Sequence, residues 1–201
     1  VFSRRDFMRT SALAVGAAAL SGDLGKSVFA APVEVEQPYT TKLHSAVIVG
    51  AINGKEIEAL AELGYEGVET QLWDIDPAKA AEGRRICEAN GIKIHSVMRA
   101  WTNVNQPESA EADVESMKRA LRAAAAYGAS TILLVPCRTG VASPAPWNFD
   151  IDFDPDTCMV RSVYGGDSSQ FADYIKAQNL ARETSFKYVK QAIPVAAYEG
   201  V

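Results

Sequence analysis

No Gly-x-Gly-x-x-Gly or Walker-type loop follows the first strand-like run of this chain, which argues against a nucleotide-binding open sheet. Cysteine is scarce. Cys87, Cys137 and Cys158 cannot all pair, so at most one disulfide forms within the chain, and Cys87 sits in a helical pattern as a small core residue. No stretch supplies the roughly 20 predominantly apolar residues that a spanning helix needs; Ser11 to Leu20 is too short and too rich in Ala and Gly, so a stable membrane anchor is not expected. Positive charge is in deficit as well. Residues 31–201 carry 16 Lys and Arg against 23 Asp and Glu, a net of -7, and such a body does not seek phosphate backbones. The marks of disorder are missing too, since 48% of the 201 residues are hydrophobic.

The first 30 residues stand apart. Ser3-Arg4-Arg5-Asp6-Phe7-Met8-Arg9 is a basic start, Ser11 to Leu20 a short apolar run, and Val28-Phe29-Ala30 offers residues of the kind read by a signal peptidase. The Arg-Arg pair in that setting resembles the twin-arginine export motif, which implies a periplasmic or otherwise exported protein that crosses the inner membrane folded. A basic N-terminal arm is the alternative. The chain opens on Val1, which points to an alternative initiation codon or a clipped end. Residues 31–42 read as a Pro-containing linker.

From Leu43 the pattern is regular. Leu43 to Val49 is strand-like, and Asn53 with Glu56 three places on makes a capping box for a helix through Ile57, Leu60 and Ala61. Gly67 to Leu72 is a second strand, followed by Asp76-Pro77 as N-cap and first helical residue of a helix running to Asn90. Ile92 to Val97 is a third strand, with a loop holding Arg99, Trp101 and Asn103 after it. Val114, Met117, Leu121, Ala124 and Gly128 mark one face of a third helix, and Ser130 to Val135 is the continuous apolar run of a buried parallel strand. Cys137 to about Asp167 is a long Asp- and Pro-rich loop with room for a small hairpin. A fourth helix, marked by Phe171, Ile175, Gln178, Ala181, Tyr188, Val189 and Ala192, is expected to end at Pro194.

One recurrence organises these elements. Leu63-Gly64, Asn90-Gly91, Tyr127-Gly128 and Glu199-Gly200 each place a glycine after a helix, and the first three are followed by a strand. Strands alternating with helices call for a parallel α/β fold, either an open sheet or a (β/α)8 barrel.

Three phrases, Ala61-Glu-Leu-Gly-Tyr-Glu-Gly-Val-Glu69, Cys87-Glu-Ala-Asn-Gly-Ile-Lys-Ile-His-Ser-Val97 and Ala125-Ala-Tyr-Gly-Ala-Ser-Thr-Ile-Leu133, come in order at strand-helix spacing. In these the chain resembles the xylose-isomerase-like TIM-barrel superfamily, which includes sugar isomerases, sugar epimerases and endonuclease IV-type DNA repair enzymes. The resemblance implies that residues 43–201 are the N-terminal part of a (β/α)8 barrel with about the first four β/α units, since such a barrel takes about 250 residues. It implies a small sugar or related polyol as ligand, and a divalent metal (Mn, Mg, Zn or Co) that assists proton transfer next to a carbonyl. The ligands of that metal belong to strands five to eight, so no residue here is assigned to it. Two other readings are a non-catalytic fragment or sugar-binding module, and a repair endonuclease, which the export signal and acidic body disfavour. Half a barrel leaves an edge and an inner face open, so residues 31–201 alone are expected to aggregate or to be rescued by self-association.

Glu69 and His95 are the leading candidates for substrate binding, each at the C-terminal end of its expected strand. Strict alternation sets His95 with Lys93 and Val97 on the inner face, and Ile92, Ile94 and Ser96 on the helix-packed face. Pocket lining, a structural hydrogen bond and metal ligation all stay open for His95, although Glu69 and His95 fall short of the three protein ligands a catalytic zinc takes. The resemblance also implies substrate contacts for Cys137 and Arg138, just past the fourth strand. Trp101 either closes over a sugar ring or covers the barrel rim. His44 lies early in its strand and reads as structural. Asp150, Asp152, Asp154 and Asp156 alternate as in a calcium loop, but Pro155 and Arg161 stand where an EF-hand needs Gly and Glu, which leaves a solvated acidic loop.

Overall fold

The structure, a computed structural model, describes residues 42–139, 144–147, 150–164 and 167–201. The expected export signal and nearly all of the expected linker fall outside them. Residues 43–201 form one compact unit.

Four strands, β1 (Ala46–Val49), β2 (Gly67–Thr70), β3 (Lys93–Trp101) and β4 (Thr131–Val135), pair in parallel in the order β1-β2-β3-β4. Between them run α1 (Gly54–Glu62), α2 (Pro77–Ala89) and α3 (Pro107–Tyr127). This is a parallel sheet with alternating helices, as in the first part of a (β/α)8 barrel. The caps are those expected: Asn53 Oδ1 accepts from the Glu56 amide at 2.9 Å, and Asp76 Oδ1 from the Ala78 amide at 2.8 Å. Gly64, Gly91, Gly128 and Gly200 all adopt left-handed backbone, φ between 70° and 85°, at the turn out of each helix.

One sheet face is packed. Val49, Val68, Ile94 and Val97 meet Ile57, Ala80, Cys87, Ala124 and Tyr127 in a buried core. Fully burying side chains such as Ile57, Val68 and Val97 contributes about 1.5–3 kcal/mol each. A second cluster, Val104, Met117, Leu121 and Ala192, ties α3 to the C-terminal helices. The opposite face, which would line a barrel, carries Ile48, Glu69 and Ser96 in register, with Ile48 53% exposed.

Three expectations need correction. β3 runs on to Trp101, because its pairing with β4 continues to Trp101↔Val135, so Arg99 and Trp101 belong to the strand. Ser96 and Val97 exchange faces, because a bulge opposite Glu69 interrupts the alternation: Val68 pairs with Ile94 but Glu69 pairs with Ser96. The long Asp-rich connection does hold the small hairpin for which the sequence leaves room, with β5 (Ile151–Phe153) antiparallel to β6 (Val160–Val163). Finally, Pro194 begins a helix instead of ending one. α4 (Ala172–Val189) passes through a short 3-10 turn into α5 (Ile193–Glu199), where proline sits in the first turn and its missing amide is harmless.

Candidate functional site

The inner face of β2 and β3 holds a three-member hydrogen-bond chain. Ser96 Oγ donates to Glu69 Oε1 at 2.8 Å, and His95 Nδ1 lies 2.8 Å from the same Oγ. Local structure explains why the three meet. Ile94 and Val97 both face the helices, so the two residues between them share the other side, opposite Glu69. Glu69 is buried at 9% exposure and Ser96 at 5%, whereas His95 is exposed. Gly67 makes room for the ring: a Cβ there would stand 3.4 Å from His95 Cδ2 and 3.1 Å from the Lys93 carbonyl oxygen. Ser96 escapes sequence reasoning, because strict alternation puts it on the wrong face and a bulge has no composition signature.

His95 is the third of the nine residues of β3, so it lies deeper than the strand end expected for it. The rim of β3 belongs to Trp101. There a second irregularity intervenes, with Ala100 in left-handed backbone at φ 58° as the register with β4 shifts. Trp101 is 52% exposed, and the Arg138 guanidinium carbon lies 3.7 Å from its ring centroid. Trp101 and Arg138, read separately from sequence, thus form one cation–π pair across the ends of β3 and β4. The segment carrying Arg138 is held by Asn105 Nδ2 donating to the Arg138 carbonyl at 3.3 Å.

Cys137 turns elsewhere. Its Sγ accepts from Ser185 Oγ of α4 at 3.1 Å, in a cleft of about 400 Å³ lined also by Thr139, Gln178, Arg182 and Phe186. His44 is paired through Nδ1 with Glu66 Oε2 at 2.9 Å, a structural contact.

A divalent metal does not fit what is described. Among the described residues no group of three or more His, Cys, Asp and Glu could hold one. Glu69 already receives Ser96 on Oε1. Two of the alternating aspartates, Asp152 and Asp154, are engaged in their own hairpin. Arg161, Tyr164 and Ser162 bind Asp152, and the amides of Asp156 and Thr157 close onto Asp154 Oδ1. These partners hold both carboxyls below their ordinary range, with Arg161 the leading cause for Asp152 and the Thr157 amide for Asp154.

A family model described as xylose isomerase-like TIM barrel matches residues 57–201. Among solved structures, a D-psicose 3-epimerase determined in the presence of D-fructose superposes with a TM-score of 0.52 at 15% identity, covering 79% of this chain and 50% of the epimerase. A xylose isomerase domain protein from Planctomyces limnophilus gives 0.50 at 13% identity, covering 78% of this chain and 51% of that one. These likenesses establish fold alone, and the chain spans about half the length of either structure. No curated protein matches by sequence.

Proposed function

The chain belongs to the xylose isomerase-like TIM-barrel family, and from that premise we propose that it supplies one wall of a site for isomerising or epimerising a small sugar or related polyol. The observation that carries this reading is the Glu69–Ser96–His95 chain on the inner sheet face, below the C-terminal strand ends where a barrel places its ligand. His95 offers an exposed ring nitrogen to a hydroxyl, and the Trp101–Arg138 pair offers an aromatic surface and hydrogen-bond donors at the rim. The D-psicose epimerase supports the substrate class by its fold and by the ketose in whose presence it was determined.

A divalent metal, where the whole protein carries one, would polarise the carbonyl next to which the proton moves. The described residues do not form its ligand set, so this chain's own part is binding and orienting the polyol. That same observation favours a second reading, a sugar-binding module without turnover. Screening the full chain against ketoses and aldoses, with metal analysis of the purified protein, separates the two. Turnover supports the first reading and saturable binding without turnover the second; absence of both at millimolar sugar would sink the sugar assignment.

Export by the twin-arginine route belongs to this proposal too, carried by Ser3 to Arg9. A reporter fused to residues 1–30 should reach the periplasm, and Arg4→Lys with Arg5→Lys should retain it in the cytoplasm. Equal export of both fusions would remove the twin-arginine assignment.

A further inference from the structure

Of the inner-face groups, the least conspicuous in sequence is the one whose chemistry is most constrained. A serine hydroxyl has one proton to give and lone pairs to receive. Ser96 gives its proton to Glu69, because an ionised carboxylate only accepts. The Ser96 oxygen, 2.8 Å from His95 Nδ1, is then an acceptor toward the imidazole, which must carry its proton on Nδ1. Among the described residues nothing engages Nε2, and the ring lies over Gly67, where no side chain intervenes. Neutral His95 therefore shows the inner face a lone pair at Nε2.

We infer that Ser96 is a positioning residue: with Glu69 behind it, it holds His95 in the Nδ1–H tautomer, so that Nε2 meets a ligand hydroxyl as an acceptor. The ligand part of this inference rests on the sugar-site reading above; the tautomer part does not. A site built this way selects a ligand that donates at that point, an alcohol such as a sugar hydroxyl, over one that presents only a carbonyl or ether oxygen. The geometry needs both buried members. Ser96 without Glu69 is free to turn its proton toward Nδ1, which would reverse the tautomer and make Nε2 a donor.

The protein contains two histidines, and His44, paired with Glu66, serves as the internal reference. The full chain is labelled with ring-15N histidine and observed at a pH where both rings are neutral, in solution or as a sedimented solid. His95 should show a protonated Nδ1 and an unprotonated Nε2. Ser96→Ala should lose that preference, Ser96→Thr should keep it by restoring a hydroxyl, and His44 should be unchanged throughout. An Nε2–H signal for wild-type His95, or a Ser96→Ala variant with the wild-type pattern, overturns the inference.

Titration with D-fructose, read by the same signals, tests the ligand arm. Ser96→Ala should weaken binding roughly 2- to 10-fold, the range of one ordinary hydrogen bond. Equal affinity of wild type and Ser96→Ala overturns the acceptor role. Wild-type protein with the expected tautomer and no response to fructose or to other ketoses and aldoses counts against the sugar reading, and leaves the positioning role of Ser96 standing.

Discussion

Gly67 sits directly against the ring of His95, and the space it leaves is narrow enough to test. A methyl group there would meet the Lys93 carbonyl oxygen at 3.1 Å, backbone that cannot swing away. Gly67→Ala should therefore destabilise by about 1–3 kcal/mol, the usual range for overpacking, and displace the His95 ring signals; an unchanged denaturation midpoint and spectrum would show that the strands separate freely. Cysteine chemistry is also decided residue by residue. Burial, helped by the charge of Glu88, pushes the Cys87 thiol up to about 11, while Cys158 is exposed. In the native state iodoacetamide should label Cys158 first and leave Cys87 untouched, as mass spectrometry of the peptides would report. The linked stability effect has a definite sign. The unfolded thiol titrates near 9 and the folded one near 11, so the contribution is full below pH 9 and is lost as pH rises through about 11. Tyr127, also raised by burial, acts in the same direction. Cys87→Ala should flatten the alkaline fall of the denaturation midpoint in part. Glu69 and His95 were legible as inner-face candidates, because polar side chains in apolar strands mark themselves. Ser96 was not, since a small polar residue reads the same on either face.

At the scale of elements, β3 and α3 are joined through one guanidinium. Arg99 Nη2 meets Asp113 Oδ1 at 3.2 Å, its Nε donates to Ser116 Oγ at 2.7 Å and its Nη1 to the Trp101 carbonyl at 2.9 Å, and its carbon lies 4.3 Å from the Trp73 ring centroid. Asp113 also accepts from the Asn103 amide at 2.7 Å. With both side chains only 13% and 15% exposed, removing one partner strands the other. Asp113→Ala should lower unfolding stability by about 3 kcal/mol. Glu88→Ala, breaking the half-exposed Arg84–Glu88 pair on α2, should cost less than about 1 kcal/mol. Equal losses in urea melts would refute this ranking. The helices were largely legible in advance, because their caps and C-terminal glycines are local chemistry. The full length of β3 was not. Its last residues, Met98-Arg99-Ala100-Trp101, show no strand alternation, and they become a strand because β4 offers a backbone to pair with. Pro194 misled for a related reason, since the same proline that cannot continue one helix is well suited to begin another.

At the scale of the molecule, among the described residues β1 and β4 each pair on one side only, and Ile48 and Leu133 face the unpacked side at 53% and 40% exposure. Each such side chain left in water forfeits about 1.5–3 kcal/mol relative to burial. We expect residues 31–201 to self-associate in sedimentation velocity, and Ile48→Lys with Leu133→Lys to raise the monomer fraction; a monodisperse wild-type monomer with a cooperative melt would count against it. The α/β class and parallel sheet were legible because period and punctuation recur along the chain. The inner site was legible only in part, because its geometry depends on register, which composition does not encode. Strand order has a kinetic consequence of its own. Because β1, β2, β3 and β4 lie side by side in the order in which they are synthesised, no strand has to insert between two already paired. Assembly can proceed like a row laid from one end, each new strand docking on the last, so the species exposed at each step has one growing edge and a short history of contacts to undo.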